Sequence, residues 1–369
     1  MIDGNAVVYC QGYFNTLWGK TAHGLARFTR RYRIVGIIDG RYAGSDAGEV
    51  LDGRSSGIPV FSDLDGAIKH ADTVGTAVTH FVFGIAPDGG ALTPEMRADI
   101  LEAVNRGLNV DCGMHTFLSD DPVISRAAQA NGVTLRDVRK TPPRGELHGY
   151  TGRIGTVHSL RVAMLGTDSS VGKRTTAWKL VAAFENRGIS AELIGTGQTA
   201  WMQGARYGVI MDALINDFVA GEIEHAILEA WDANRPDVMV IEGQGSLMNP
   251  IYPGGFEILA AGQPHAVVMQ HAPARRDYDG IPGTPVHPLD RQIQAVELLS
   301  DKPVVAVTLN HEGMTPVEVD EACRRIAAET GLPVRDGLTH NLDPVVDAVL
   351  ASRDRPRDRG RDPGRESSS

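Results

Sequence analysis

The sequence predicts an α/β protein with two domains, each built around a parallel β-sheet covered by helices. The length of 369 residues corresponds to two domains at roughly 100–200 residues each. Short apolar runs alternate with amphipathic segments, the pattern of repeated β-α-β units with parallel strands. A stretch rich in Pro and Gly, residues 141–156, separates two such series. We therefore expect a first domain over 1–140, a linker, and a second domain over 157–352.

The first series contains apolar runs that predict strands and amphipathic segments that predict helices. One helix is expected over 94–106, because Thr93 is a good cap and Pro94 is well tolerated at the first helical position. An earlier helix places Ala22 and Leu25 on an apolar face. The predicted strands are 6–10, 32–39, 81–87, 109–115 and 133–139.

The second series repeats this organisation after the linker. Its predicted strands are 160–166, 190–195, 237–242, 265–271 and 303–310. Its predicted helices lie near 172–187, 211–232, 288–300 and 315–330. The last 17 residues, 353–369, contain six arginines and four acidic residues. Such a composition cannot build a core, so we expect a disordered tail.

The composition limits the classes of partner and compartment. A formal net charge of −10 argues against nucleic-acid binding, which needs a basic face. No apolar run approaches the ~20 residues that cross a bilayer, and the N-terminus lacks the features of a signal peptide. The three cysteines, Cys10, Cys112 and Cys323, lie far apart, so neither a disulfide framework nor a cysteine-built zinc site is expected. We expect a cytoplasmic protein.

The sharpest motif is GTDSSVGKRTT, residues 166–176, which follows a strand pattern and opens a helix. In that context glycines let backbone N–H groups converge on an anion, the helix N-terminus adds positive potential, and Lys173 adds a full charge. We expect the motif to bind a phosphate-bearing ligand; a helix start without a ligand is the alternative. The residues assigned to this phosphate loop are Gly166, Thr167, Asp168, Ser169, Gly172, Lys173, Arg174, Thr175 and Thr176.

The motif departs from the common G-x4-G-K-[S/T] pattern. Five residues separate Gly166 from Gly172, Arg174 stands where a metal-binding hydroxyl normally follows the lysine, and Thr175 is displaced by one position. The longer spacing resembles that of dethiobiotin synthetase and its P-loop relatives. The displaced hydroxyl favours phosphate binding over Mg-ATP hydrolysis of the ordinary kind.

Other motifs follow strands of the second domain, at the sheet edge where open α/β folds bind ligands. VMVIEGQGSLMNP ends its strand at Glu242, which could hold Mg²⁺, act as a general base or serve as a structural cap. QHAPARRDYDG contains His271, Arg275 and Arg276, which form either a cluster that binds carboxylate or phosphate or part of a surface loop. Further polar candidates at strand ends are Gln198, Thr199 and Asn310, the last of these suited to a nucleobase edge.

The first domain lacks a dinucleotide fingerprint, since its first loop contains no G-x-G-x-x-G. Asp39 closes the second strand where a ribose-binding acid would stand, but alone it is weak evidence for NAD. Lys20 and His23 at the start of the first helix, and His115 in CGMHTFL, can face a cleft between the domains. A structural role is the alternative for both histidines. We therefore expect the active site between the two domains.

Together these motifs resemble one two-domain family, long catalogued as of unknown function, that includes the D-glutamate N-acetyltransferases. The resemblance implies a Rossmann-like domain followed by a P-loop NTPase-like domain. It also implies transfer of the acetyl group of acetyl-CoA to the amine of D-glutamate, in D-amino-acid catabolism. The matching segments cover nearly the whole chain except the tail: GKTAHGLAR, GIAPDGG, DCGMHTFL, GTDSSVGKRTT, GTGQTAW, DALINDFVAGEIE, EGQGSLMNP and QH-x-P-x-R.

Acetyl transfer to an amine needs a general base and donors for the tetrahedral oxyanion. For the implied reaction we expect Glu242, or else His271, to be the base, and the loops 196–199 and 243–246 to supply the donors. Acetyl-CoA is the co-substrate, and its phosphates suit the phosphate loop together with Asn310. The residues assigned to the amino acid are Lys20, His115, Gln198, Gln244, Arg275 and Arg276.

Two alternatives from other classes remain open. An ATP-dependent ligase or kinase would follow the likeness to dethiobiotin synthetase, with Asp168, Thr175 and Glu242 around Mg²⁺. A non-catalytic module would use the phosphate loop to sense a nucleotide. For the preferred function we expect a homo-oligomer whose partners are the amino acid and acetyl-CoA, with no resident metal.

Overall fold

The computed structural model describes residues 2–87 and 89–354. Within them, the first sheet contains strands β1 (Gly4–Tyr9), β2 (Tyr32–Ile38), β3 (Val60–Phe61), β4 (His80–Phe83), β5 (Asn109–Cys112) and β6 (Leu135–Asp137). The strands are parallel and lie in the order β3-β2-β1-β4-β5-β6, which is the order of dinucleotide-binding folds. The helices that connect them are α1 (Lys20–Arg27), α2 (Ala47–Asp52), α3 (Leu64–Thr73), α4 (Pro94–Asn105) and α5 (Pro122–Asn131).

The second sheet is also parallel. Its strands are β7 (Leu160–Gly166), β8 (Ala191–Gly195), β9 (Tyr207–Gly208), β10 (Val238–Glu242), β11 (Ala266–His271), β12 (Val304–Leu309) and β13 (Val334–Asp336). They lie in the order β13-β12-β11-β7-β10-β8-β9. Its helices are α6 (Lys173–Asn186), α7 (Gln198–Met202), α8 (Asn216–Asn234), α9 (Phe256–Gly262), α10 (Leu289–Ser300), α11 (Pro316–Thr330) and α12 (Asp343–Ala351). The predicted fold class, two parallel α/β sheets, is confirmed.

The central strands of the second sheet are continuous apolar runs because helices cover both faces. β7 is buried along its whole length, and successive side chains point into different cores, as the two-residue period of a strand requires. Met164 packs in the core that contains Trp178 of α6, whereas Leu165 packs in the core that contains Ile223 of α8. The register aligns the carboxyl ends of β7, β10 and β11 at one edge of the sheet.

The strand expected over 81–87 is shorter than predicted and spans His80–Phe83. Gly84 turns the chain towards α1, since its N–H donates to the Tyr9 carbonyl (2.8 Å) and its carbonyl accepts from the Ala22 N–H (3.0 Å). The apolar residues after Phe83 therefore belong to a buried loop. The predicted strands near 109 and 133 are likewise shorter, and end at Cys112 and Asp137.

The helix predicted over 211–232 begins only at Asn216. Met211–Ala213 form a separate turn of 3-10 helix, and Ile215 has an extended backbone (φ −67°, ψ 129°). Within that turn, Asp212 forms an ion pair with Arg139 of the first domain. This contact between domains explains why the segment leaves the helix, and the local sequence pattern does not contain it.

The linker over 141–156 is attached to α8. The N–H and hydroxyl of Thr151 donate to the Glu224 carboxylate (2.6 and 2.8 Å), and the Ile154 N–H donates to its other oxygen (2.9 Å). These charge-assisted bonds keep the pKa of Glu224 below its ordinary value despite burial, which raises it. The linker is therefore a fixed connection.

Two expectations concern the ends of the chain and membranes. The tail predicted over 353–369 lies outside the described residues, except for its first two positions in the 3-10 turn Ser352–Asp354. Among the helices of the described ranges, none has the length and apolar character needed to cross a bilayer.

Helix α7 belongs to the second domain but packs into the first. Met202 is fully buried within the hydrophobic core of the first sheet. The Trp201 ring lies 3.8 Å from the Arg31 guanidinium carbon. The hydroxyl oxygen of Thr199 is 2.8 Å from that of Thr21 in α1. Because α7 follows β8 almost directly, this junction lies beside the carboxyl edge of the second sheet.

Candidate active site at the domain junction

The phosphate loop connects β7 to α6, in the strand–loop–helix context that the motif predicts. Its backbone has positive φ angles at Ser170 (52°) and Gly172 (97°), a conformation that is easy for glycine and uncommon for serine. The helix begins at Lys173 without a side-chain cap. The start of a helix carries N–H groups without intrahelical acceptors, and an anion is stabilised there.

Lys173 crosses the floor of the phosphate loop. Its Nζ donates to the carbonyls of Asp168 (2.6 Å) and Gly245 (2.7 Å). A Cβ at Gly166 would lie 2.9 Å from the Lys173 Cδ, and one at Gly243 would lie 3.1 Å from it. The two glycines therefore leave the space through which the lysine passes. Burial lowers the pKa of Lys173 to about 8.

Asp168 is the centre of a hydrogen-bond network that closes one side of the loop. One carboxylate oxygen accepts from the Ser169 N–H (2.7 Å) and the Asn249 amide (2.7 Å). The other accepts from Arg275 (3.0 Å) and the Asp279 N–H (2.8 Å). Four donors occupy the roughly four acceptor positions of a carboxylate. Asp168 therefore organises the loop, and the sequence motifs did not identify Asn249 or Asp279 as its partners.

The predicted arginine cluster separates into two different environments. Arg275 bonds Asp168, the Ser169 carbonyl (2.7 Å) and Glu312 (2.9 Å), so it supports the phosphate loop. Arg276 is exposed, and only Arg275 of the pair has these bonds to the loop. The structure therefore does not bring both arginines together as a joint carboxylate receptor. Asn310 also supports the loop, because its amide donates to the Val171 carbonyl (3.0 Å).

Glu242 is a buried carboxylate at the end of β10. It accepts from the Thr196 N–H (2.8 Å), and the Thr196 hydroxyl donates to the Glu242 carbonyl (3.0 Å). The Gln244 amide donates to the same hydroxyl (2.9 Å). Burial raises the pKa of Glu242, while the charges of Arg174 and Lys173 oppose that shift. A carboxyl group with a raised pKa is suited to proton transfer near neutral pH.

His271, the second base candidate, ends β11. Its Nδ1 lies 3.0 Å from the Thr167 hydroxyl oxygen. Burial lowers the pKa of His271 to about 4, so the imidazole is neutral at physiological pH. The Thr167 N–H donates to the Gln270 carbonyl (2.9 Å). His271 is thus connected to the phosphate loop through Thr167.

Arg174 departs from the rest of the phosphate-loop motif. Its terminal Nη2 lies 3.3 Å from the Lys20 carbonyl of α1, and its Nε is buried without a hydrogen-bond partner. By contrast Thr176 is buried in the second domain, beside Gly337, and Thr175 is half-buried. The residue that follows the P-loop lysine therefore reaches the other domain.

The first-domain candidates lie at the junction with different degrees of exposure. The Nε2 of His23 accepts from the Asn15 N–H (3.2 Å), and burial with the charges of Arg27 and Arg174 lowers the pKa of His23 to about 4. Lys20 and His115 are exposed. Gln198 is buried against Gly113 of the His115 segment, where a Cβ would lie 2.8 Å from its Cγ. Gln198 therefore packs at the contact between the two domains.

Asp39, the weak candidate for a ribose ligand, is fully buried. Its carboxylate accepts from the Phe14 N–H (2.8 Å) and from Arg41 (2.7 Å). These donors, together with the Arg41 backbone N–H, lower its pKa against the effect of burial. Asp39 stabilises the first loop of the domain, which fits the lack of a dinucleotide fingerprint there.

A candidate site thus combines an anion-binding helix start, a buried lysine, a buried glutamate and an arginine that faces the other domain. No group of three or more His, Cys, Asp or Glu side chains in residues 2–87 and 89–354 is arranged to hold a metal ion. In chemical terms, a helix start and a buried ammonium group suit an anionic ligand, and a buried carboxylate suits proton transfer.

Two family models match the chain. One, a P-loop domain described as a domain of unknown function (DUF1611_C), matches residues 148–346. The other, a Rossmann-like domain of unknown function (DUF1611_N), matches residues 40–141. The first alone spans more than half of the chain. The protein belongs to the DUF1611 family.

Curated relatives of this DUF1611 protein have an enzymatic name. A D-glutamate N-acetyltransferase from Tritonibacter scottomollicae is 32% identical over 276 residues, 73% of this chain and 80% of the relative. A D-glutamate N-acetyltransferase from a Pseudoalteromonas species is 30% identical over 272 residues, 72% of this chain and 80% of the relative. The resemblance found in the motifs is confirmed, and the protein is an enzyme of the acyltransferase class with a general acetyltransferase role.

A solved DUF1611 structure shares the whole architecture. The crystal structure of a DUF1611 family protein from Anabaena variabilis matches with a TM-score of 0.86 and 29% identity, and the match covers 94% of this chain and 99% of that one. The prediction of a Rossmann-like domain followed by a P-loop domain is therefore confirmed.

Proposed function

We propose that this DUF1611 protein transfers the acetyl group of acetyl-CoA to the amine of D-glutamate, a step of D-amino-acid catabolism. The observation that carries the proposal is the buried Glu242 carboxylate, whose pKa is raised by burial and which lies at the same sheet edge as the phosphate loop. A proton acceptor beside a phosphate-binding element is what acetyl transfer from coenzyme A to an amine requires. The names of the relatives support the choice of substrate.

The phosphate loop is the proposed site for the phosphates of acetyl-CoA. Lys173 already donates to the carbonyl of Asp168 in the loop and to that of Gly245 after β10, and a phosphate oxygen is a stronger acceptor for an ammonium group than a carbonyl. The uncapped start of α6 supplies backbone donors beside it. Neither interaction needs a divalent cation, so the absence of a hydroxyl directly after Lys173 does not weaken binding of this ligand.

In the proposed reaction Glu242 takes a proton from the substrate ammonium group, which leaves a neutral amine. The nitrogen attacks the thioester carbonyl carbon, and a C–N bond forms as the carbonyl oxygen becomes an oxyanion. The loops 196–199 and 243–246, which flank Glu242, are the proposed source of donors to that oxyanion. The oxyanion then re-forms the carbonyl as the C–S bond breaks, and the coenzyme A thiolate leaves and receives the proton from Glu242. The acylated nitrogen gives up its second proton to the freed Glu242 carboxylate, which releases it to solvent and leaves the neutral amide.

The ligase or kinase alternative has less support. It requires Asp168, Thr175 and Glu242 to share Mg²⁺, but both oxygens of Asp168 already accept two hydrogen bonds each. A metal would have to displace donors that organise the loop. Glu242 is also engaged by the Thr196 N–H.

The test is an acetyl-transfer assay on the purified full-length chain. Thiol release from acetyl-CoA and the mass of the product are measured with D-glutamate, L-glutamate, D-glutamine and D-aspartate. We expect N-acetyl-D-glutamate as the main product, and stabilisation by acetyl-CoA in thermal unfolding, because a ligand of the native state shifts the equilibrium. Stabilisation by MgATP alone, without thiol release, would contradict the proposal.

A further inference from the structure

We propose that Arg174 binds the α-carboxylate of the amino-acid substrate at the domain junction, and that it does not bind a phosphate of acetyl-CoA. This inference rests on the proposed function. It assigns to the amino acid a residue that the motif alone places in the phosphate loop.

The first argument is the direction in which the Arg174 side chain extends. Lys173 and Arg174 are neighbours at the start of α6, but they serve different sites. Lys173 donates to carbonyls within the second domain, whereas the Arg174 guanidinium reaches the Lys20 carbonyl at the start of α1. A ligand of Arg174 therefore lies between the domains and not in the cradle of the phosphate loop.

The second argument is an unmet hydrogen-bonding need. The Nε of Arg174 is buried and has no acceptor, although protein groups surround it. Its Nη2 has one long bond, 3.3 Å, to a neutral carbonyl. A buried charged donor without an acceptor is costly. A carboxylate supplies two coplanar oxygens, which fit the Nε and Nη pair of a guanidinium in a bidentate arrangement.

The third argument is the space kept for this guanidinium. Gly24 lies inside helix α1, where glycine costs about 1 kcal/mol relative to alanine. A Cβ at Gly24 would lie 3.0 Å from the Arg174 Nη2 and 3.2 Å from a Thr199 methyl carbon. The glycine lets α1 approach Arg174 closely. The first domain thus accommodates an arginine that belongs to the second.

The position of Glu242 completes the assignment. Burial lowers the pKa of Arg174, and the negative charge of Glu242 opposes that shift, so the two groups interact electrostatically at this edge of the sheet. An α-amino acid carries its amine and carboxylate on the same carbon. A substrate whose carboxylate pairs with Arg174 therefore presents its amine towards the proposed base.

The test separates the two ligands of the enzyme. For Arg174→Ala we expect the KM for D-glutamate to rise at least tenfold, while the Kd for acetyl-CoA, measured by calorimetry, changes less than threefold. Lys173→Ala is the matched control and should show the opposite pattern. Arg174→Lys should give an intermediate KM, because the charge stays and the bidentate geometry is lost. A weakened Kd for acetyl-CoA with an unchanged KM would overturn the inference.

Two further measurements keep the result clear if Arg174→Ala folds poorly. Gly24→Ala leaves the arginine in place but crowds it, and should raise the same KM. In the wild type, the KM for the α-amide of D-glutamate should be at least tenfold above the KM for D-glutamate. In Arg174→Lys the ratio of these two KM values should be no more than about threefold. An equal ratio of the two KM values in both proteins contradicts the pairing.

If the wild type does not acetylate D-glutamate, the proposed function fails. If it does and the KM for D-glutamate is unaffected in every variant, only the assignment of Arg174 fails.

Discussion

The hydroxyl groups of Thr21 and Thr199 lie 178 positions apart in sequence and share a buried hydrogen bond of 2.8 Å across the domain junction. Both residues are almost fully buried. One comes from α1, whose start faces Arg174, and the other from α7, which begins two residues after Thr196, the partner of Glu242. The bond therefore helps to fix the geometry of the candidate active site.

Removing one hydroxyl of this pair should cost more than removing both. Thr199→Val leaves the Thr21 hydroxyl buried without its partner, and we expect the free energy of unfolding to fall by about 1–3 kcal/mol. The double variant Thr21→Val/Thr199→Val should recover part of that loss, because no polar group is left unpaired. Chemical denaturation of the four proteins in a double-mutant cycle measures the coupling. Additive losses would mean that the bond contributes nothing.

Glu242→Gln should impair chemistry more than binding. The substitution keeps the shape of the side chain and removes its ability to accept a proton, so kcat should fall by roughly 10²–10⁴. The Kd for acetyl-CoA should change little. Glu329→Gln, at an exposed position on α11, is the matched control. A Glu242→Gln variant that retains more than half of the wild-type kcat would shift the role of base to His271.

Lys173→Ala should weaken the binding of acetyl-CoA at least tenfold, a loss of about 1.4 kcal/mol. The variant removes the charge that faces the phosphates, while the backbone donors of α6 remain. Calorimetry on the wild type, Lys173→Ala and the exposed-site control Lys69→Ala checks the expectation. Unchanged affinity in Lys173→Ala would exclude the phosphate loop as the binding site.

The affinity for acetyl-CoA should also depend on pH through Lys173. Burial lowers the pKa of this lysine to about 8 in the ligand-free protein, so its ammonium loses its proton as the pH rises through that value. Affinity should therefore fall between pH 7 and pH 9.5. In Lys173→Arg the decline should disappear, because arginine stays charged in this range.

The lowered pKa of Lys173 should have the opposite effect on the free energy of unfolding, which should rise with pH. An unfolded lysine keeps its proton up to about pH 10.4, so between the two pKa values the unfolded chain binds more protons than the folded one. The contribution of Lys173 to the free energy of unfolding then increases with pH. The difference between wild type and Lys173→Met, followed by denaturation from pH 7.5 to 10, should show this increase; a decrease would contradict the lowered pKa.

Much of the fold could be predicted because its central strands are buried on both faces. The runs that form β7, β10, β11 and β12 contain almost only apolar residues and were found with small errors at their ends. β9 and β13 have two and three residues, too few for a periodic signal. The helix predicted over 211–232 was wrong at its start, because a contact with Arg139, distant in sequence, determines the local backbone.

The candidate site was predicted in its elements and less well in its side-chain directions. The context of the phosphate loop and the strand-end position of Glu242 follow from sequence. The pairing of Arg275 with Asp168 depends on how two loops from different strands meet, and no spacing encodes it. Likewise, the direction of Arg174 depends on the approach of another domain. The residue roles, the homo-oligomer and the cytoplasmic location stay predictions.

The placement of Met202 has a consequence for folding during synthesis. The core of the first sheet contains this methionine, which lies 65 residues after Asp137, the end of β6. When only the first domain has emerged from the ribosome, its hydrophobic core therefore still lacks Met202. Domains usually complete their folding in order as the chain emerges. Here the core of the first domain is completed only after α7 of the second domain has been synthesised. The two halves resemble independent modules in their topology, yet the core of the first is complete only once Met202 of the second has been made.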